Sequence, residues 1–340
     1  MIKYFSMFSG IGGFELGIKR ALYDLRSAEK YEHEKKDCER KGKGRMGTDK
    51  TNGLVCVGFS EIDKYAIQVY KKHFPEHENY GNATEINPEK LPDFDLLVGG
   101  FPCQAFSIAG KRRGFEDTRG TLFFEIARIL KRKQPRLFLL ENVKGLLNHD
   151  KGETFTTILQ TIDELGYDAQ WEVLNSKHFG VPQNRERVFI VGHLRGTSRP
   201  EVFPIRESNR ENNGRVGEGV SYCIDSNYYK GTNTLKKGRR QLIKVYDDYN
   251  SKFRKDGNTC TLTQKSGSKS ERTGQKIVIG LTIRRLTTIE CERLQGFPDN
   301  WTAEGTEGKI SDTQRYKMCG NAVTVNVIES IMEKLLLRTK

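Results

Sequence analysis

KYFSMFSGIGGFELG, residues 3–17, sets an apolar run against a glycine-rich turn and then a helical pattern. KYFSMF reads as a strand and SGIGG as a tight turn. Phe14, Leu16, Ile18, Ala21, Leu22 and Leu25 supply the apolar side of a helix. A strand entering a helix through glycines lets a ligand approach the backbone, with the helix N-terminus facing it. The spacing is FxGxGG, not the GxGxxG of dinucleotide binders. Downstream, GLVCVGFSEID is a second strand that ends on Glu61, where a carboxylate can accept both hydroxyls of a ribose. Asp63 is equally placed to cap the helix that follows. Together these features predict a nucleoside-containing cofactor, and leave open a dinucleotide or S-adenosylmethionine.

Strands and helices go on alternating to about residue 192. KYAIQVYKKHF, TLFFEIARILKRKQ and TFTTILQTIDELG have helical spacing, while DFDLLVGG, PRLFLLENV and RERVFIVGHL read as strands. DFDLLVGG is apolar enough to be buried on both faces. The pattern predicts an α/β fold with a doubly wound parallel sheet. Residues 24–52 form a charged insertion with no assigned role. After His193, Gly, Asn, Ser and Thr separate short apolar runs such as QLIKVY and KIVIG, as in a small, loop-rich β region. LTTIECERLQGF and AVTVNVIESIMEKLLL then restore helical spacing.

The chain has 340 residues and a net charge of +13. Residues 193–280 hold 18 Lys/Arg against 9 Asp/Glu, so this quarter carries +9 of that excess. A polyanion is therefore the leading partner class. The opening residues lack the apolar core of a signal peptide, and no stretch approaches the roughly 20 apolar residues of a membrane span. The expectation is a cytoplasmic protein without a membrane partner. The seven cysteines are scattered, with no CxxC pair and no zinc spacing, which predicts reduced thiols and no metal.

One of those cysteines stands out. In GGFPCQAFSIAG, residues 99–110, Cys103 follows a proline in a glycine-rich stretch at the end of a strand. FSMFSGIGGFELG, EID, GGFPCQAFS, ENVKG, QNRERVFIVG, RRLTTIECERLQGFPDNW and YKMCGNAVTVNVI occur in this order between residue 4 and about residue 328. This series resembles the ordered motifs of the bacterial DNA cytosine-5 methyltransferases of restriction–modification systems. The resemblance implies a Rossmann-like, S-adenosylmethionine-dependent domain formed by residues 1–192 and 310–340. It also implies a smaller, mostly β target-recognition domain, with its hinge, at 193–309. The product would be S-adenosylhomocysteine, the partner double-stranded DNA, the acting unit a monomer, and the functional companion a cognate restriction endonuclease. A tRNA cytosine-5 methyltransferase is the rival within the same fold, and the long basic stretch favours a duplex instead.

By the same resemblance, Cys103 attacks carbon 6 of cytosine, which makes carbon 5 enamine-like. Glu141 engages ring nitrogen 3 and the exocyclic amine, a role that asks for partial burial. Arg187 lies against the base carbonyl and the cysteine, and Arg185 is a second catalytic candidate with a phosphate contact as its other reading. Phe8, Gly10, Gly12, Gly13, Glu61, Ile62, Asn82, Pro102, Asn321 and Val323 are the implied cofactor contacts. The family often has Asp at the position of Asn82, and Ala322 stands where it usually has Ser. Gln104, Ser107, Lys111 and Arg112 fall in a basic segment suited to closing over a flipped base. Lys236, Lys237, Arg239 and Arg240, with residues 266–272, are the candidate contacts of the recognition stretch.

Overall fold

The computed structural model describes residues 2–25, 53–102, 122–198, 200–205 and 286–337. It also describes the backbone of four further strands. Cys103, Gln104, Ser107, Lys111, Arg112, Lys236, Lys237, Arg239, Arg240 and residues 266–272 lie outside the described residues, as does most of the charged insertion.

The strands are β1 (Ile2–Met7), β2 (Leu54–Ser60), β3 (Leu96–Gly100), β4 (Leu137–Val143), β5 (Tyr167–Asn175) and β6 (Glu186–Leu194). Among the described residues they form one six-stranded sheet in the order β2-β1-β3-β4-β6-β5. Helix α1 covers residues 13–25. It is followed by α2 (Lys64–His73), α3 (Leu122–Lys133), α4 (Glu153–Glu164), α5 (Thr288–Leu294), α6 (Asp312–Asn321) and α7 (Val325–Leu337).

Alternate side chains along each central strand enter opposite cores, as the two-residue period of a strand requires. Phe5, Met7, Leu97, Phe138, Leu140, Val188 and Ile190 pack beneath α3 and α4. Tyr4, Leu96, Val98, Leu137, Leu139, Phe189 and Val191 pack beneath α1 and α7. Covering on both faces explains why LLVGG has no polar side chain and is buried for its first four residues. The last helix returns to lie against the first. A methyl group on Gly17 would stand 2.7 Å from the Ile328 side chain, so α1 and α7 touch almost backbone to side chain.

The sheet departs from the all-parallel expectation at one strand. The β1–β2, β1–β3 and β3–β4 pairs are parallel, but β6 runs antiparallel to both β4 and β5. The cause is the short link between β5 and β6: only residues 176–185 separate them, with a single short turn at Ser176–His178. A parallel return needs a crossover of a dozen residues or more. Strand β5 is itself an addition to the sequence reading, since its side chains Asp168, Gln170 and Glu172 interrupt any apolar run. Helix α6, DTQRYKMCGN, was likewise absent from that reading because it offers so few apolar positions.

At both ends of the implied 193–309 stretch, which includes its hinge, described residues pack with the body of the first sheet. Val202 and Ile205 are buried in the core beneath α7. Phe297 and Trp301 are buried with Ile11, Leu16, Ala66 and Val325, and the Trp301 indole donates to the Ile11 carbonyl at 2.9 Å. Residues 286–309 therefore belong to the body that carries the glycine turn. The described residues also include a second, antiparallel sheet. It contains β7 (Lys244–Asp247), β8 (Lys252–Phe253), β9 (Gln275–Ile279) and β10 (Thr282–Arg285), in the order β10-β9-β7-β8. No described helix is long and apolar enough to cross a membrane.

Candidate active site

The glycine turn opens where β1 stops. Phe8 takes a φ of 54°, a left-handed backbone that a phenylalanine adopts only against strain. Gly10 and Gly12 follow with φ of 57° and 87°. A methyl group on Gly10 would meet nothing within 4 Å, so the turn leaves open space on that side. At Gly12 it would come within 2.6 Å of the Phe74 ring, and at Gly13 within 2.7 Å of Val323 Cγ1. Gly12→Ala should therefore destabilise the fold by roughly 2–5 kcal/mol, combining left-handed strain with overpacking. Thermal unfolding, with and without S-adenosylhomocysteine, checks this, and ligand binding should weaken in parallel.

Glu61 at the end of β2 turns toward this loop. Its Oε2 accepts the Gly10 N–H at 2.8 Å, and Oε1 accepts the N–H groups of Ile62 and Asp63 at 2.8 and 2.9 Å. The carboxylate thus joins the glycine turn to the second strand and keeps acceptor capacity on Oε2. Capping of α2 falls to Asp63, which accepts from the Tyr65 and Ala66 N–H groups and pairs with Lys317 at 2.7 Å. Ile62 is 71% exposed beside it, an apolar side chain left open at the rim. Asn82 is held in a tight turn: its Oδ1 accepts from Thr84 and its Nδ2 donates to Glu85, both at 3.2 Å. Pro102 and Asn321 are exposed, whereas Val323 is buried against Gly13.

Glu141 lies on β4, in register with Gly100 of β3. Its side chain is only 12% exposed, and Oε1 pairs with Arg187 Nε at 3.0 Å. Burial pushes its carboxyl above the ordinary range, and the Arg187 and Arg185 guanidiniums pull it part of the way back. Arg187 reaches the acid from β6, the neighbouring strand on the other side. A raised pKa keeps this carboxyl protonated to a higher pH than an ordinary glutamate's.

Arg185 is different, and a phosphate contact does not fit its buried placement. It is 2% exposed, and its guanidinium donates to the Gly320 and Ala322 carbonyls at 3.3 and 2.8 Å. A phosphate on the outside of the molecule cannot reach it. Arg185 instead holds the turn between α6 and α7, close enough to Glu141 to favour its charge. Gln295 holds the same turn from another side: it is fully buried, donates to the Cys319 carbonyl at 2.9 Å and accepts from the Thr324 hydroxyl at 2.9 Å. Gln183 anchors the other flank through the Leu294 carbonyl at 2.8 Å. These glutamines were missed from sequence. The available signal was an uncharged glutamine within each of two of the quoted motifs, QNRERVF and RLQGF.

A glycine turn closing on an acid of the next strand, in a sheet with one reversed strand between β4 and β5, defines an α/β methyltransferase fold. The solved structure of the S. pombe Dnmt2 methyltransferase shares this fold. It has a TM-score of 0.64 and 18% identity, over 99% of this chain and 98% of that one. The pattern of the C-5 cytosine-specific DNA methylase family matches residues 2–337. The chain is 42% identical to the Type II methyltransferase M1.ScrFI of Lactococcus lactis subsp. cremoris, over 87% of this chain and 75% of that protein. It is 40% identical to the Type II methyltransferase M.NgoBI of Neisseria gonorrhoeae, over 97% and 92% respectively. The chain belongs to the C-5 cytosine-specific DNA methylase family.

Proposed function

We propose that this chain methylates carbon 5 of a cytosine in duplex DNA, as the modification half of a restriction–modification pair, acting as a monomer. The observation that carries the mechanism is the buried Glu141 carboxyl, paired with Arg187 and set one strand from the segment that leads into Cys103. Cys103 adds its thiolate to carbon 6 of the base. Glu141 gives its proton to ring nitrogen 3 as charge enters the ring, and Arg187 keeps that carboxyl oriented. Once carbon 5 carries the methyl group, loss of its proton to a base, expulsion of the thiolate from carbon 6 and return of the nitrogen 3 proton to Glu141 restore the aromatic ring and free the enzyme.

The residues around the glycine turn fit S-adenosylmethionine, which supplies an electrophilic methyl group when bound. Phe8, Gly10, Gly12 and Gly13 would line its amino-acid and nucleoside portions. Glu61 would accept from the ribose, Ile62 would lie on the adenine face, and Asn82 would meet the adenine edge. Pro102, Asn321 and Val323 complete the implied set. The open side of Gly10 and the exposed Ile62 support this reading, since both are surfaces a ligand would cover. For a target inside a duplex, the base must leave the stack. The basic residues of the 193–280 stretch are the proposed duplex-reading set.

A methyl-transfer assay offering labelled donor with duplex DNA or with tRNA tests the substrate class. The expected result is label in duplex DNA alone. Bisulfite sequencing of host DNA should then show protected cytosines at one short site. Label in tRNA alone would overturn the assignment.

A further inference from the structure

The parallel ladder between β3 and β4 ends at Gly100 and Glu141. Phe101 follows, and then Pro102, which has no N–H to extend the pairing. A side chain takes over at that point. Asn142 is 2% exposed, and its Nδ2 donates to the Phe101 carbonyl at 2.9 Å. Its Oδ1 accepts the Val143 N–H at 2.8 Å, which fixes the orientation of the amide. Phe101 is itself buried, packed against the Phe123 ring. One side chain thus fastens two places at once. Asn142 adjoins the acid Glu141 in the chain, and the carbonyl it holds lies two residues before Cys103.

We propose that Asn142 is a positioning residue of the methylation reaction, setting where the nucleophile-bearing chain leaves the sheet relative to the Glu141 carboxyl. This rests on the roles given above to Cys103 and Glu141. Attack on carbon 6 and protonation at nitrogen 3 occur on one small ring, so the two groups must be registered to each other. A misplacement near 1 Å costs on the order of 100-fold in rate.

Asn142→Leu removes the donor at similar volume. The expected result is a fall in kcat of about 100-fold, with KM for duplex DNA and affinity for S-adenosylhomocysteine within about twofold of the parent. Asn142→Asp can donate to the Phe101 carbonyl only when protonated. Its rate relative to the parent should therefore recover as pH falls from about 8 to about 6, while the leucine variant shows no recovery. Retention of the parent kcat by Asn142→Leu would overturn the proposal. So would losses confined to melting temperature and cofactor affinity. Cys103→Ala, assayed alongside, separates the two levels of the argument. If it still methylates, the nucleophile assignment fails; if it is inactive while Asn142→Leu is normal, only the positioning role fails.

Discussion

Cys103→Ala is expected to eliminate methyl transfer, a loss on the order of 10,000-fold or more, while the protein still binds duplex DNA and S-adenosylhomocysteine. Carbon 5 of cytosine is too weak a nucleophile to react until something adds at carbon 6. A thiolate suits that addition because it attacks readily and leaves again. The described thiols are poor substitutes. Burial pushes Cys56 up to about 12 and raises Cys291 and Cys319 as well, so all three are held as thiols at neutral pH. A duplex bearing 5-fluorocytosine makes the test direct. Fluorine in place of the carbon 5 proton blocks the final elimination, so the parent enzyme should remain covalently attached when the methyl donor is present. Peptide mapping should find the link at position 103, and the alanine variant should form none. An adduct at another cysteine would sink the mechanism.

Glu141→Gln is expected to lower kcat by about 100- to 1,000-fold. Glutamine can offer a hydrogen bond to ring nitrogen 3 but no proton to transfer. Its amide also never presents Arg187, 3.0 Å from the acid, with the negative charge of the deprotonated carboxyl. The pH dependence has a definite sign. Burial raises the Glu141 pKa, so the protonated, active form persists above the usual carboxylate range and disappears as pH rises through the raised value. The parent rate should decline on that alkaline side, and the glutamine variant should lack that decline. Stability follows the same sign. The neutral carboxyl's contribution is fully present below the ordinary carboxylate pKa and is lost as pH rises through the folded one. Thermal unfolding of the variant should therefore be flatter across that window.

Much of this architecture was legible in order along the chain. The strand, glycine turn and helix at residues 3–25 were readable because turn chemistry and helical period are local properties. So was the doubly buried DLLVGG, and so was the placement of Glu141 at the end of its strand. The motif series then carried the family and the cofactor class, since each block keeps its residues within a few positions of one another.

The tertiary structure decided what depends on partners distant in sequence. Arg185 and Arg187 share the string RER and look interchangeable there. One is sealed against the Gly320 and Ala322 carbonyls, and the other reaches a carboxylate across the sheet. Nothing within three residues distinguishes them, because their roles are set by segments more than 40 residues away. Helix α6 forms with few apolar residues for the same reason, whereas the reversal of β6 follows from its short link to β5. Residues 297–301 pack against the glycine turn because Trp301 finds Ile11, at the other end of the chain. Local propensity records what a segment prefers by itself. Hydrogen-bond partners and buried neighbours, which settle how a segment packs and what a charged side chain does, exist only once the chain has closed on itself.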